Sequence, residues 1–203
     1  MKMNFNLAAA VHRHSLITPD ALALACQGRT LTYGELAERS ARIGACLASR
    51  ATPTTHGAQP PRVGILASRG IDACVATLGA CWSGATYVPL GLKLPQERLL
   101  NLFEQCDFSA IVTDDAGAML LSERLLARCP ALIVHAGTKP IEARAGRVEI
   151  INMASLDRVT PSQPAPMAAS DTGYIIFTSG TTGVPKGVMI GLEAVRHYVE
   201  AVV

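Results

Sequence analysis

The chain has 203 residues, long enough to bury a sizeable core as one large domain or two small ones. It is 49% hydrophobic and 17% charged, below the roughly 25% of an average soluble protein, so apolar surface is expected to need a cover that these residues do not supply. The net charge of +2, with both signs interspersed, gives no footprint for nucleic acid or an anionic membrane.

Taken in order, Ala8 to Leu16 reads as a helix stopped before Pro19. Ala21 to Ala25 and Thr30 to Thr32 flank Gln27-Gly28-Arg29, a turn signature, and predict a hairpin. Tyr33 to Arg50 has Leu36, Ile43 and Leu47 at helical spacing, with Thr32 and Glu35 placed as a capping box. Residues Thr52 to Pro61 are a loop. Strand-like runs at Val63 to Ala67, Ala85 to Val88, Ala110 to Val112 and Leu132 to Val134 then alternate with helical segments at Ile71 to Trp82, Gln96 to Gln105 and Ala116 to Arg128. Val148 to Ile151 is a further candidate strand. This alternation predicts an α/β fold with mainly parallel sheets and helices on both faces. Thr160 to Ser170, with three prolines, reads as a linker. Tyr174 to Phe177 and Gly187 to Ile190 read as strands, and a last helix puts Val195, Tyr198, Val199, Val202 and Val203 on one face. Ending on two valines, it looks cut in mid-element.

The six cysteines lie at least seven residues apart without a C-x-x-C pair, the pattern of reduced cytosolic core thiols rather than of disulfides or a metal site. His12 and His14 read as solvated helix residues. The N-terminal apolar run is too short for a signal peptide. Ala73 to Leu92 holds twenty residues without a charge, but Gly79, Ser83, Gly84, Pro89 and Gly91 break it into a helix, a turn and a strand rather than a membrane span. The expected localisation is cytoplasmic.

The most informative stretch is YIIFTSGTTGVPKG, residues 174 to 187. Between Asp171 and Glu193 the one charged residue is Lys186. Thr178, Ser179, Thr181 and Thr182 offer hydroxyls, and Gly180, Gly183 and Gly187 let the backbone turn its N–H groups inward as an anion nest. Many donors, one cation and no carboxylate match the polyphosphate of a nucleotide. The common triphosphatase loop, G-x-x-x-x-G-K-[ST], would need glycine where Pro185 stands and a hydroxyl residue where Gly187 stands.

TSGTTGVPKG resembles the signature loop of adenylate-forming (AMP-binding) enzymes. Leu31-Thr32-Tyr33-Gly34-Glu35-Leu36 and Gly84-Ala85-Thr86-Tyr87-Val88-Pro89-Leu90 are similar to the first two core motifs of nonribosomal peptide synthetase adenylation domains, and Pro95, Glu97, Arg98 and Leu99 fit the segment that follows. Tyr174 to Phe177 resembles the amino-acid-activating members. Gly91 and Leu192 depart from the family, which often has an acid or amide at the first position and histidine at the second. The resemblance implies ATP- and Mg2+-dependent activation of a carboxylic acid, an amino acid by preference, as an acyl-adenylate with release of pyrophosphate. A carrier-protein phosphopantetheine or CoA thiol then takes the acyl group. Thr178, Ser179, Gly180, Thr181, Thr182, Gly183, Lys186 and Gly187 would hold the phosphates. The family's acid pocket, nucleoside contacts, magnesium carboxylate and catalytic lysine lie beyond this loop. Residues 1–203 would thus be the incomplete N-terminal part of an adenylation domain, with 160–170 as a linker before the phosphate loop strand, and inactive alone. Two alternatives remain open to the sequence: a non-catalytic fragment or split-enzyme half that docks a partner chain, and an unrelated phosphate-loop hydrolase using Asp171 or Glu193 for magnesium.

Overall fold

The computed structural model describes residues 4–52, 59–141, 147–178 and 185–202. Helix α1 (Ala9–Ile17) leads to a hairpin of β1 (Leu22–Cys26) and β2 (Arg29–Thr32). Its turn places Gln27 and Gly28 at φ 51° and 76°, the left-handed geometry in which glycine costs least. Helix α2 (Tyr33–Arg50) starts on the expected capping box. The Thr32 hydroxyl accepts from Glu35 N at 3.2 Å, and Thr32 N donates to the Glu35 carboxylate at 2.8 Å.

From β3 (Arg62–Leu66) the chain runs through α3 (Ile71–Trp82), β4 (Thr86–Pro89), α4 (Gln96–Cys106) and β5 (Ala110–Thr113). Helices α5 (Asp115–Ala118) and α6 (Glu123–Leu126), β6 (Leu132–His135), β7 (Glu149–Asn152) and a 3-10 turn follow. The last elements are β8 (Thr172–Thr178), β9 (Lys186–Gly191) and α7 (Leu192–Val202). The main sheet has the order β7-β6-β5-β3-β4-β8-β9, and every pairing is parallel except β8 with β9. The expected parallel α/β architecture is what these residues form.

Alternation along the strands feeds two cores. Val63, Ile65, Ala110, Val112 and Val134 face α2 and α3, while Leu66, Val88, Ile111, Ile133 and Ile175 face α4 and α6. Helix α1 rests on α2 and α3 through Ala8, Ala37, Ala41 and Trp82. The stretch 73–92 is the buried helix α3, a turn at Gly84 (φ 81°) and β4. Among the described residues no helix is long and apolar enough to cross a membrane.

One expectation needs correcting. The segment 116–128 is not a single helix but the two single turns α5 and α6, each with its own cap. Asp114 accepts from Gly117 N at 2.8 Å, and the Ser122 hydroxyl from Leu125 N at 3.3 Å. A Cβ on Gly117 would lie 1.8 Å from the Leu66 carbonyl, so this turn lies hard against β3. A continuing helix would compete with Ser122 as a cap.

The segment 160–170 contains no helix or strand. It is fastened to α3 and the N-terminal segment: Trp82 Nε1 donates to Ser162 O at 2.7 Å, Ala165 N donates to Trp82 O at 2.9 Å, and the Asn6 amide reaches Ala165 O at 2.8 Å. His12 is half-buried with its ring edge-on to Trp82, and His14 stacks on Tyr33. All six cysteines are free; Cys46, Cys81, Cys106 and Cys129 are buried, Cys26 is half-buried and Cys74 is exposed.

Candidate phosphate-binding hairpin

The two strands read on either side of the glycine-rich stretch form an antiparallel hairpin at one edge of the sheet. Its register pairs Tyr174 with Ile190, Ile176 with Val188, and Thr178 with Lys186. Directly opposed residues share a face, so Thr178 and Lys186 leave the sheet side by side at the mouth of the loop. Both are exposed. Among the described residues no acidic side chain pairs with Lys186, which leaves its ammonium available to an anion.

Of the sequence-predicted site residues, Thr178, Lys186 and Gly187 are in this geometry. Ser179, Gly180, Thr181, Thr182 and Gly183 lie outside the described residues. Gly187 differs from its expected role. It is a ladder residue opposite Phe177 without a positive φ, and a Cβ there would come within 3.0 Å of Ile175 and 3.1 Å of the Phe177 ring. Its contribution is space for that ring rather than a turned N–H group.

The hairpin joins the parallel sheet through β4, with Tyr87 paired to Tyr174. The two rings stack with centroids 5.4 Å apart. Burial, with smaller contributions from Cys81 and Tyr174, pushes the Tyr87 hydroxyl up to about 12, so it stays neutral under working conditions. Strand β4 ends at Pro89, two residues after Tyr87, whereas β8 ends at Thr178, four after Tyr174. The mouth of the loop therefore overhangs the sheet.

Asp171 and Glu193 sit at the other end of the hairpin. Asp171 accepts from Ala168 N at 2.8 Å, and Glu193 N donates to Ala169 O at 3.2 Å. Six residue steps separate Thr172 from Thr178, about 20 Å of extended strand. Neither acid lies near Thr178 and Lys186, the described mouth of the loop, where the hydrolase alternative would need a magnesium ligand. Leu192, where the family often has histidine, is buried against Gly173 and ties α7 to the root of the hairpin. Among the described residues no group of three or more His, Cys, Asp or Glu side chains could hold a metal ion.

A second concavity, of about 770 Å3, opens at the carboxyl ends of β3 and β4, lined by Ser68, Arg69 and Lys93 among apolar residues. Helices α3 and α4 leave these strands toward opposite faces. Open α/β sheets bind ligands at such switch points.

A mostly parallel sheet ending in a hydroxyl- and glycine-rich hairpin with one lysine at its mouth defines the class of adenylate-forming folds. The family model described as AMP-binding enzyme matches residues 11–202, and the chain belongs to that family. Tyrocidine synthase 3 of Brevibacillus parabrevis is 31% identical over 188 residues, 92% of this chain and 2% of that protein. Among solved structures, the nonribosomal peptide synthetase FmoA3 in its AMPPNP-bound form superposes with a TM-score of 0.71 at 24% identity, over 97% of this chain and 18% of that one. A benzoate CoA ligase from Burkholderia xenovorans LB400 superposes with a TM-score of 0.75 at 19% identity, over 98% of this chain and 36% of that one. The chain thus spans a small part of the proteins that it matches.

Proposed function

We propose that these residues form the phosphate-gripping N-terminal part of a longer cytoplasmic enzyme that activates a carboxylic acid, an amino acid by preference. The product is an acyl-adenylate, formed from ATP with release of pyrophosphate, and the acyl group then passes to a carrier-protein phosphopantetheine or CoA thiol. The observation that carries this reading is the exposed pair of Thr178 and Lys186 at the mouth of the hairpin, with no carboxylate paired to Lys186 among the described residues.

The residues present fit a polyphosphate. Lys186 supplies the charge, Thr178 a hydroxyl donor, and the loop residues Ser179, Gly180, Thr181, Thr182 and Gly183 further hydroxyl and N–H donors. ATP supplies the electrophilic α-phosphorus and the pyrophosphate leaving group. Fixed donors aimed at the charge growing on that leaving group lower the barrier more than they tighten ground-state binding. The magnesium carboxylate, the acid pocket and the general catalytic groups belong, in this reading, to the rest of the enzyme.

The low charge content has a matching surface. Ile176, Val188 and Met189 on the hairpin and Tyr198, Val199 and Val202 on α7 are all exposed. In this reading the remainder of the enzyme covers them, which also accommodates a split enzyme whose other half is a separate chain.

The test is ATP–pyrophosphate exchange across a panel of amino acids and aryl or alkyl acids. The full-length protein should exchange with one class of acid, and the purified 203-residue chain should not. Charge-assisted hydrogen bonds contribute about 1.5–3 kcal/mol each before ordering costs. A net of about −4 kcal/mol would leave the isolated chain with near-millimolar affinity for ATP. Acid-dependent exchange by the isolated chain would overturn the division of labour, and exchange by a full-length Lys186→Ala variant at the wild-type rate would overturn the phosphate role.

A further inference from the structure

The hairpin is a lever. Its tip carries Thr178 and Lys186, and its root is held on one face by the stacked Tyr87 and Tyr174 rings and on the other by Ile175 in the core. At the root the β8–β9 register shifts between Thr172 and Tyr174, where Gly173 lies against Leu192. This irregularity is where the hairpin's direction is decided, and one buried hydroxyl crosses to it from the neighbouring strand. Thr86 Oγ1 donates to the Thr172 carbonyl oxygen at 2.6 Å, with Thr86 2% and Thr172 7% exposed. The backbone N–H of Thr86 is already bonded to Pro61 O. The residue thus links the segment before β3, β4 and β8 in one place.

We infer that Thr86 is a positioning residue for the phosphate-binding hairpin: its hydroxyl sets the angle at which β8 leaves the sheet and so where Thr178 and Lys186 stand. The inference rests on the phosphate-binding reading above. Over the roughly 20 Å from Thr172 to Thr178, a rotation of about 3° at the root moves the tip by about 1 Å. A displacement of that size is enough to cost catalysis about a hundredfold. Valine at position 86 has nearly the same shape but leaves the Thr172 carbonyl without this donor, in a place where water does not reach.

The test compares Thr86→Val, Thr86→Ser and Lys186→Ala in the full-length protein, by exchange kinetics and by hydrogen exchange of the peptide spanning 172–178. Thr86→Val should lower kcat per folded enzyme about a hundredfold, leave the KM for the acid within about twofold, and speed hydrogen exchange in the 172–178 peptide. Thr86→Ser, which keeps the donor, should restore both readouts. A hydroxyl that only stabilises the fold would instead lower Tm and the amount of active enzyme with kcat per folded enzyme unchanged, and that result overturns the inference. Failure of serine to restore kcat overturns it too. Should the valine variant not fold, Thr86→Ala against Thr86→Ser gives the same comparison. If Lys186→Ala leaves ATP use intact, the phosphate reading falls, whatever Thr86 does. If Lys186→Ala is impaired while Thr86→Val behaves as wild type in both readouts, the positioning role falls alone.

Discussion

Thr178 and Lys186 are paired residues in the β8–β9 ladder, a hydroxyl and an ammonium held side by side at the mouth of the loop. Lys186 is exposed and supports no core, so its replacement separates chemistry from folding. Lys186→Ala should reduce the turnover of ATP–pyrophosphate exchange by about 10²–10³, the range for losing one preorganised donor to a developing charge. Its Tm should stay within about a degree of wild type, since surface changes of this kind cost little stability. Exchange kinetics with a parallel thermal melt check both halves.

Helices α2 and α3 touch where neither can accept another atom. A Cβ on Gly79 would lie 2.6 Å from Ile43 Cγ2, and one on Gly44 would lie 2.7 Å from Trp82 Cβ. Ile43 has no exposure and Trp82 almost none, so neither partner has room to retreat. Alanine is worth about 1 kcal/mol more than glycine in a helix interior, while overpacking a tight core costs about 1–3 kcal/mol. Overpacking should win. Gly79→Ala should lower the urea midpoint, and it should do so by less in an Ile43→Ala background, where the Cγ2 atom it would strike is gone.

The features legible in the sequence were those fixed by neighbours along the chain. The Thr32–Glu35 capping box, the Gln27-Gly28 turn and the period of the β-α alternation all need only local chemistry, and each is found in the fold. The loop motif was legible because its order of hydroxyls, glycines and lysine is hard to reach by turn chemistry alone. What was not legible depends on contacts distant in sequence. Gly117 packs the α5 turn hard against the Leu66 carbonyl, about fifty residues back. Gly187 leaves room for the Phe177 ring only once the register is known. Thr86 reads as an ordinary strand threonine until Thr172, on a strand far along the chain, is laid beside it.

Thiol chemistry divides the cysteines. Burial pushes Cys81 and Cys129 up to about 12 and Cys106 up to about 11, and it raises Cys46 as well. Thiolate, not thiol, is the nucleophile, so these four should resist alkylation in the native state. Desolvation raises the Cys74 thiol too, but that residue is exposed and Cys26 is half-buried, so access should make these two label first. Mass spectrometry after a short iodoacetamide pulse at neutral pH should find at most those two modified, and all six in denaturant.

Asp115 sets an acid limb on the stability curve. Burial works against its ionised form, but three donors and a nearby imidazole together outweigh it and hold its pKa below the ordinary aspartate range. Lys139 N donates to it at 3.1 Å, the Thr138 hydroxyl at 3.0 Å and Thr138 N at 3.4 Å. His135 Nε2 lies 3.2 Å from Oδ1, but it is out of line for a hydrogen bond, so it acts as a neighbouring charge when protonated. A carboxylate whose pKa is lower folded than unfolded stabilises the fold above its unfolded value, and that contribution disappears as pH falls through the folded value. The window therefore opens near pH 4 and extends below it. Asp115→Asn should be less stable than wild type near neutrality, and the difference should shrink as pH falls below about 4. Urea midpoints for the two proteins at several pH values across that window read it directly. A constant difference from neutral to acid pH would mean that the carboxylate's charge contributes nothing to holding the turn at Thr138 and Lys139.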